Sequence, residues 1–219
     1  MNRRKKILVI NPNSNPQVTH SLAEALQPIC FERGPEIECV TMAEGPYGIE
    51  TQADLESAVM PLRRMVAADN SADAFIIACY SDPGLHVCRE ATPRPVFGIA
   101  ESGVLSALAR GDRFGVIAVA QRSIGRHIRY LRQMDLMDRL AGERPLNMSV
   151  AETASGEGTL ARMVAVGREL IDRDGANAIV MGCAGMARHR QALEAELGVP
   201  VIDPTQAAVT MALGVVMFQ

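Results

Sequence analysis

The chain has 219 residues, 48% of them hydrophobic and 21% charged, with a formal net charge of −3. That length suffices for one large or two small domains with a real core, and the charge balance carries no nucleic-acid footprint. The apolar stretch Ile7–Ile10 behind the basic run Arg3-Arg4-Lys5-Lys6 is too short for a signal-peptide core or a membrane span, so a cytoplasmic protein that binds neither nucleic acid nor membrane is expected.

In chain order, strand-like runs fall at 6–10, 37–42, 74–79, 96–99, 113–119, 178–183 and 199–202. Helical stretches fall between and after them at 18–27, 53–68, from Leu85 onward, and at 101–110, 121–133, 158–173, 189–197 and 205–218. Alternation of this kind predicts βαβ units and a parallel sheet. The strands are rich in Ile and Val and almost continuously apolar, as burial on both faces requires.

One pattern occurs twice. Ala72-Asp73-Ala74-Phe75-Ile76-Ile77-Ala78-Cys79 is matched by Ala176-Asn177-Ala178-Ile179-Val180-Met181-Gly182-Cys183. Each copy is a small-residue entry, an apolar run, and a cysteine where the run stops. A proline-led strand follows 16 residues after Cys79, at Pro95, and 17 after Cys183, at Pro200. The openings Ile7-Leu8-Val9-Ile10-Asn11-Pro12 and Phe114-Gly115-Val116-Ile117-Ala118-Val119 also correspond. The expected architecture is α/β, with two similar, pseudo-symmetric parallel-sheet lobes over 1–110 and 111–204 and the active site between them. A C-terminal helix over 205–219 is expected to pack back on the first lobe.

Ligands in such sheets bind at the carboxyl ends of the strands. Cys79 and Cys183 both sit there, each before a turn into a helix. Two thiols facing one pocket can take a proton from one face of a carbon and return one to the other. Backbone N–H groups at a helix start lower a thiol's pKa and can hold an anionic oxygen. Here they would come from Tyr80-Ser81 and Ala184-Gly185. A lone cysteine is as readily a core filler, and Cys30, Cys39 and Cys88, which lack the matched context, read as packing residues. The odd total of five cysteines contains no CxxC pair, against a disulfide framework and against structural zinc.

The loop Asn11-Pro12-Asn13-Ser14 after the first strand reads both as a helix cap and as a pocket edge. Tyr47 and Ile49 after the second strand, and Val119 and Ala120 after the fifth, are candidate pocket walls. Asp82 reads as an N-cap. The four histidines lie in helices, and surface positions account for them. No metal-ligand cluster, Schiff-base lysine or dinucleotide glycine motif is present, so neither metal nor organic cofactor is expected.

Three segments carry a resemblance: Ile7-Leu8-Val9-Ile10-Asn11-Pro12-Asn13-Ser14, Ala78-Cys79-Tyr80-Ser81-Asp82-Pro83-Gly84 and Gly182-Cys183-Ala184-Gly185-Met186-Ala187. They resemble the motifs of the hydantoin and allantoin racemases, within the aspartate/glutamate racemase superfamily. The resemblance covers essentially the whole chain. It implies a cofactor-independent racemase with Cys79 and Cys183 as acid and base, acting on a 5-substituted hydantoin. Allantoin or an amino acid are the alternative substrates, and a two-lobed small-molecule binding protein is the alternative from another class. Relatives usually carry a hydroxyl residue near Val119-Ala120; its lack here implies a more apolar wall. The expected partners are a small-molecule substrate and further copies of the chain in a homo-oligomer.

Overall fold

The computed structural model describes residues 3–155 and 158–218. Two four-stranded parallel sheets form its frame. The first holds β1 (Lys6–Asn11), β2 (Glu36–Thr41), β3 (Ala74–Ile77) and β4 (Val96–Gly98), in spatial order β2-β1-β3-β4. The second holds β5 (Phe114–Ala118), β6 (Leu140–Pro145), β7 (Ala178–Gly182) and β8 (Val201–Ile202), in order β6-β5-β7-β8. The two orders are the same when the strands of each sheet are counted from its first. This is the α/β fold with paired parallel sheets that the alternation predicts.

The helices are α1 (Pro16–Leu26), α2 (Gln52–Ala68), α3 (Leu85–Ala91), α4 (Ile99–Leu108), α5 (Gln121–Gln133), α6 (Val150–Ser155), α7 (Thr159–Asp172), α8 (Arg190–Leu197) and α9 (Pro204–Met217). Their starts follow local chemistry. Asn15 caps α1 by accepting the Gln17 N–H, and Thr51 with Asp54 forms a reciprocal capping box on α2. Asp203 caps α9 by accepting the N–H groups of Thr205 and Gln206, each at 2.8 Å.

Strand alternation divides the core. On the first sheet, Leu8, Ile10, Phe75 and Ile77 pack with Ala58, Leu62 and Val66 of α2 and Leu85 of α3. Ile7, Val9, Ala74 and Ile76 point the other way, into a cluster shared with α1, α9 and residues Ile117, Ile179 and Met181 of the second sheet. Phe114, Val116, Ala178 and Val180 pack with Ala100, Val104 and Ala107 of α4. Helix α4 thus follows the first sheet in sequence and lies on the second. Helix α9 follows the second sheet and lies against β1, β3 and β4 of the first. The two helices meet at Gly103, where an added Cβ would come within 2.8 Å of Pro204.

The structure corrects several boundaries. β3 ends at Ile77 and β7 at Gly182, so the two cysteines stand just beyond the strands rather than within them. β6 and α6 lie outside the predicted elements. Cys88 is buried, as a packing residue should be, but Cys30 is exposed. Among the described residues, no helix is long and apolar enough to cross a membrane, and no group of three or more His, Cys, Asp or Glu side chains is arranged to hold a metal ion.

Candidate active site

The carboxyl ends of β1, β3, β5 and β7 open on one cavity, and both Cys79 and Cys183 line it. The two thiols are held alike. The Gly185 N–H donates to Cys183 Sγ at 3.4 Å, and the Ser81 backbone amide acts on the Cys79 thiol in the same sense, favouring its anion. In both cases the donor is two residues beyond the cysteine, so the repeat extends from the strand to the turn behind it. Thr153 Oγ1 adds a second contact to Cys183 Sγ, at 3.8 Å.

Asn13, Ile49, Tyr80, Ser81, Val119, Ala120 and Ala184 join the cysteines around the cavity. Other residues named from the sequence stand behind it or apart. Asn11 is fully buried, and its Nδ2 donates to Asn13 Oδ1, the Asn15 carbonyl and Thr19 Oγ1 at 3.0–3.1 Å. It shapes the loop that presents Asn13. Pro12 and Ser14 do not line the cavity; the Ser14 N–H ties this loop to the Pro46 carbonyl at 2.9 Å. Tyr47 is 65% exposed and does not line it either, because the 42–51 loop turns Ile49 and Glu50 inward instead. Gly185 acts through its N–H on the sulfur. Asp82 is an N-cap, though of α4 rather than of the helix that follows it: its carboxylate accepts the N–H groups of Ala100 and Glu101, both at 2.9 Å.

A family model for Asp/Glu/Hydantoin racemase matches residues 7–212. The chain belongs to this family. It is 37% identical over 212 residues to a hydantoin racemase of Paenarthrobacter aurescens, covering 94% of this chain and 89% of that protein. It is 34% identical to a hydantoin racemase of Pseudomonas sp. (strain NS671), covering 94% and 84%. The structure superposes on an allantoin racemase from Klebsiella pneumoniae with a TM-score of 0.93 at 31% identity, covering 98% of this chain and 88% of that one. The protein is therefore an isomerase of the racemase class, acting on small molecules.

One wall of this racemase-family cavity was not anticipated. Helix α5 presents Ser123, Arg126 and His127 to it, all three buried. His127 is 6% exposed, which overturns the surface reading for that histidine. Its Nδ1 bonds the carboxylate of Glu143 on β6, its Nε2 lies 3.4 Å from Ser81 Oγ, and its ring meets Tyr80 edge-on at 5.1 Å. Near Val119-Ala120 the cavity meets a hydroxyl at Ser123, whose Oγ donates to the Ala120 carbonyl at 2.8 Å. Val18, Ile49, Val119 and Val150 keep the wall apolar around it.

The electrostatics also differ from expectation. Burial pushes the Cys79 thiol up to about 12, with one amide donor and the Arg126 charge offsetting only part of that rise. Burial raises Cys183 as well, against the Gly185 and Thr153 bonds. Desolvation of a sulfur anion outweighs a single N–H. Burial therefore holds both thiols protonated at neutral pH. The Gly185 amide, expected to hold a substrate oxygen, is instead committed to the Cys183 sulfur.

Proposed function

We propose that this protein is a cofactor-independent racemase of 5-substituted hydantoins in which Cys79 and Cys183 serve as the two bases. The observation that carries the reading is the matched pair of thiols on one cavity, each at a strand end with the amide two residues downstream favouring its anion. A ring carbon bearing hydrogen next to a carbonyl is acidic because the resulting carbanion delocalises onto oxygen. One thiolate takes that proton and the opposite thiol delivers its own to the other face. The next turnover runs in reverse, so either thiol is base for one enantiomer and acid for the other.

The apolar lining from Val18, Ile49, Val119 and Val150 favours a hydrocarbon group on the ring carbon. The similarity to an allantoin racemase supports a second reading, in which the group is a ureide. Both are tested together by following the optical rotation of single-enantiomer 5-alkyl hydantoins, 5-benzylhydantoin and allantoin. The reading requires decay to zero rotation for a hydantoin, faster than for allantoin, with deuterium entering the ring carbon in heavy water. A fixed rotation with no exchange would contradict it and favour a binding protein.

A further inference from the structure

The cavity contains a cation with no anion to match. Arg126 is 8% exposed, and its Nε is buried without a hydrogen-bond partner. Its Nη1 donates to the Glu50 backbone carbonyl at 3.1 Å. The nearby carboxylate of Glu50 is engaged elsewhere, with Oε1 accepting the Val150 N–H at 3.2 Å and Oε2 paired with Arg122. Among the described residues, no carboxylate forms an ion pair with Arg126. The ionisable groups that act on it are Cys79, whose thiol is neutral at neutral pH, Arg129, Asp54 and Arg122. A guanidinium stays ionised in a protein, and burying it without a counter-charge is strongly unfavourable. Such a cost persists where it serves a ligand.

We propose that Arg126 is the anion anchor of the cavity: its guanidinium holds the carbonyl oxygen on which negative charge collects as the adjacent ring carbon loses its proton. This rests on the racemase reading of the site. The electron pair of the broken C–H bond moves into the ring and onto that oxygen, and the proton goes to the thiolate sulfur. When the opposite thiol delivers its proton, the pair returns to carbon and the oxygen becomes a neutral carbonyl again. The substrate class is a neutral cyclic ureide that becomes anionic only in the reaction. The assignment rests on the cavity's buried cation: the Gly185 N–H is on sulfur, the Ser123 hydroxyl is on a backbone carbonyl, Asn13 Oδ1 is bonded within its own loop, and the Arg126 Nε has no partner among the described residues.

Because the charge appears only along the reaction, losing Arg126 should depress kcat rather than raise KM. Arg126→Gln is expected to lower kcat by about 100-fold or more with KM within about threefold, as loss of an oxyanion donor does elsewhere. Deuterium entry into 5-benzylhydantoin should slow by the same factor. Arg126→Lys, which keeps charge but loses the forked geometry, should regain about tenfold of that loss. The melting temperature of Arg126→Gln should stay level or rise, since an unmatched buried charge is removed. If that variant fails to fold, Arg126→Lys decides: reduced kcat at constant KM supports the anchor, and unchanged kinetics overturn it. A raised KM with intact kcat also overturns it, since Arg126 would then bind a group already charged. Wild-type enzyme that exchanges no deuterium would overturn the racemase reading itself, whereas wild type and Arg126→Gln exchanging at one rate would overturn only the role of Arg126.

Discussion

The Gly185 N–H donates to Cys183 Sγ at 3.4 Å, and the Ser81 amide acts on the Cys79 thiol in the same sense. Cys183 alone has a hydroxyl as well, from Thr153 at 3.8 Å. The Thr153 hydroxyl hydrogen is shared with the Val150 carbonyl, at 2.8 Å, and its contact with the sulfur still favours the thiolate of Cys183; Thr153→Val removes it at nearly constant shape. A hydrogen bond to a charged sulfur contributes about 1.5–3 kcal/mol, so kcat/KM should fall roughly tenfold or more. It must fall equally for both enantiomers, because their equilibrium constant is one. Steady-state assays from each enantiomer check this, and unchanged rates would remove Thr153 from the account.

The pH dependence follows from burial. With Cys79 pushed up to about 12 and Cys183 raised too, the thiolate population of the free enzyme grows with pH throughout the neutral range. We expect kcat/KM to climb from pH 6 to beyond pH 9 without a plateau, and alkylation of the thiols to accelerate in parallel and be blocked by substrate. A plateau below pH 7 would show that the thiols are acidic in the free enzyme. The same shift has a consequence for stability. The unfolded thiol ionises near 9.0, the folded one near 12, so stability from Cys79 is present below pH 9 and lost as pH rises toward 12.

Asp82 connects the Cys79 turn to α4. Gly98 lies directly behind it, and a Cβ there would stand 2.2 Å from the Asp82 Cγ. Gly98→Ala must displace the carboxylate from the helix start. We expect a loss of about 2–3 kcal/mol in stability, measured by urea unfolding, together with slower turnover.

Burial raises the Asp82 carboxyl to about 7 from 3.8, despite the two amide donors. Its folded pKa is thus above its unfolded one. The stability it contributes is full below about pH 4 and declines as pH rises through 7. Asp82→Asn abolishes that titration. Relative to wild type, the variant should gain stability between pH 4 and pH 8; a constant difference across that range would contradict the shift.

His127 and Glu143 form a buried pair, with side chains 6% and 1% exposed, and Glu143 Oε2 has no hydrogen-bond partner among the described residues. Removing one partner leaves the other buried and uncompensated. His127→Ala and Glu143→Ala should each cost about 3–5 kcal/mol. The double variant should cost less than their sum, and additive losses in a double-mutant cycle would show that the two do not interact.

Much of this fold was legible because the strands are continuously apolar and the repeat places landmarks in order. β6 was not. Its sequence, Leu140-Ala-Gly-Glu-Arg-Pro145, is half-buried at a sheet edge, so neither a solid apolar run nor a clean alternation marks it. The cysteines were found because duplication singles them out. Arg126 and His127 were missed because charge on a helix normally means solvent, and the apolar stripe of α5 runs through Ile124, Ile128 and Leu131. In the structure Ile124 and Ile128 are half-exposed while Ser123, Arg126 and His127 are buried. The available signal was their position beside that stripe, and only the neighbouring sheet edge gives it meaning.

The central claim, two thiols acting on opposite faces of one carbon, is tested most directly by proton exchange in the single variants. Cys79→Ser and Cys183→Ser each replace a base with a hydroxyl that is far too weak an acid to ionise. Each enantiomer of 5-benzylhydantoin is incubated with each variant in heavy water, and deuterium at the ring carbon is measured alongside optical rotation. The account predicts that neither variant racemises, and that each exchanges only one enantiomer, Cys79→Ser the opposite one from Cys183→Ser. Racemisation near the wild-type rate by either variant, or exchange of the same enantiomer by both, would contradict it.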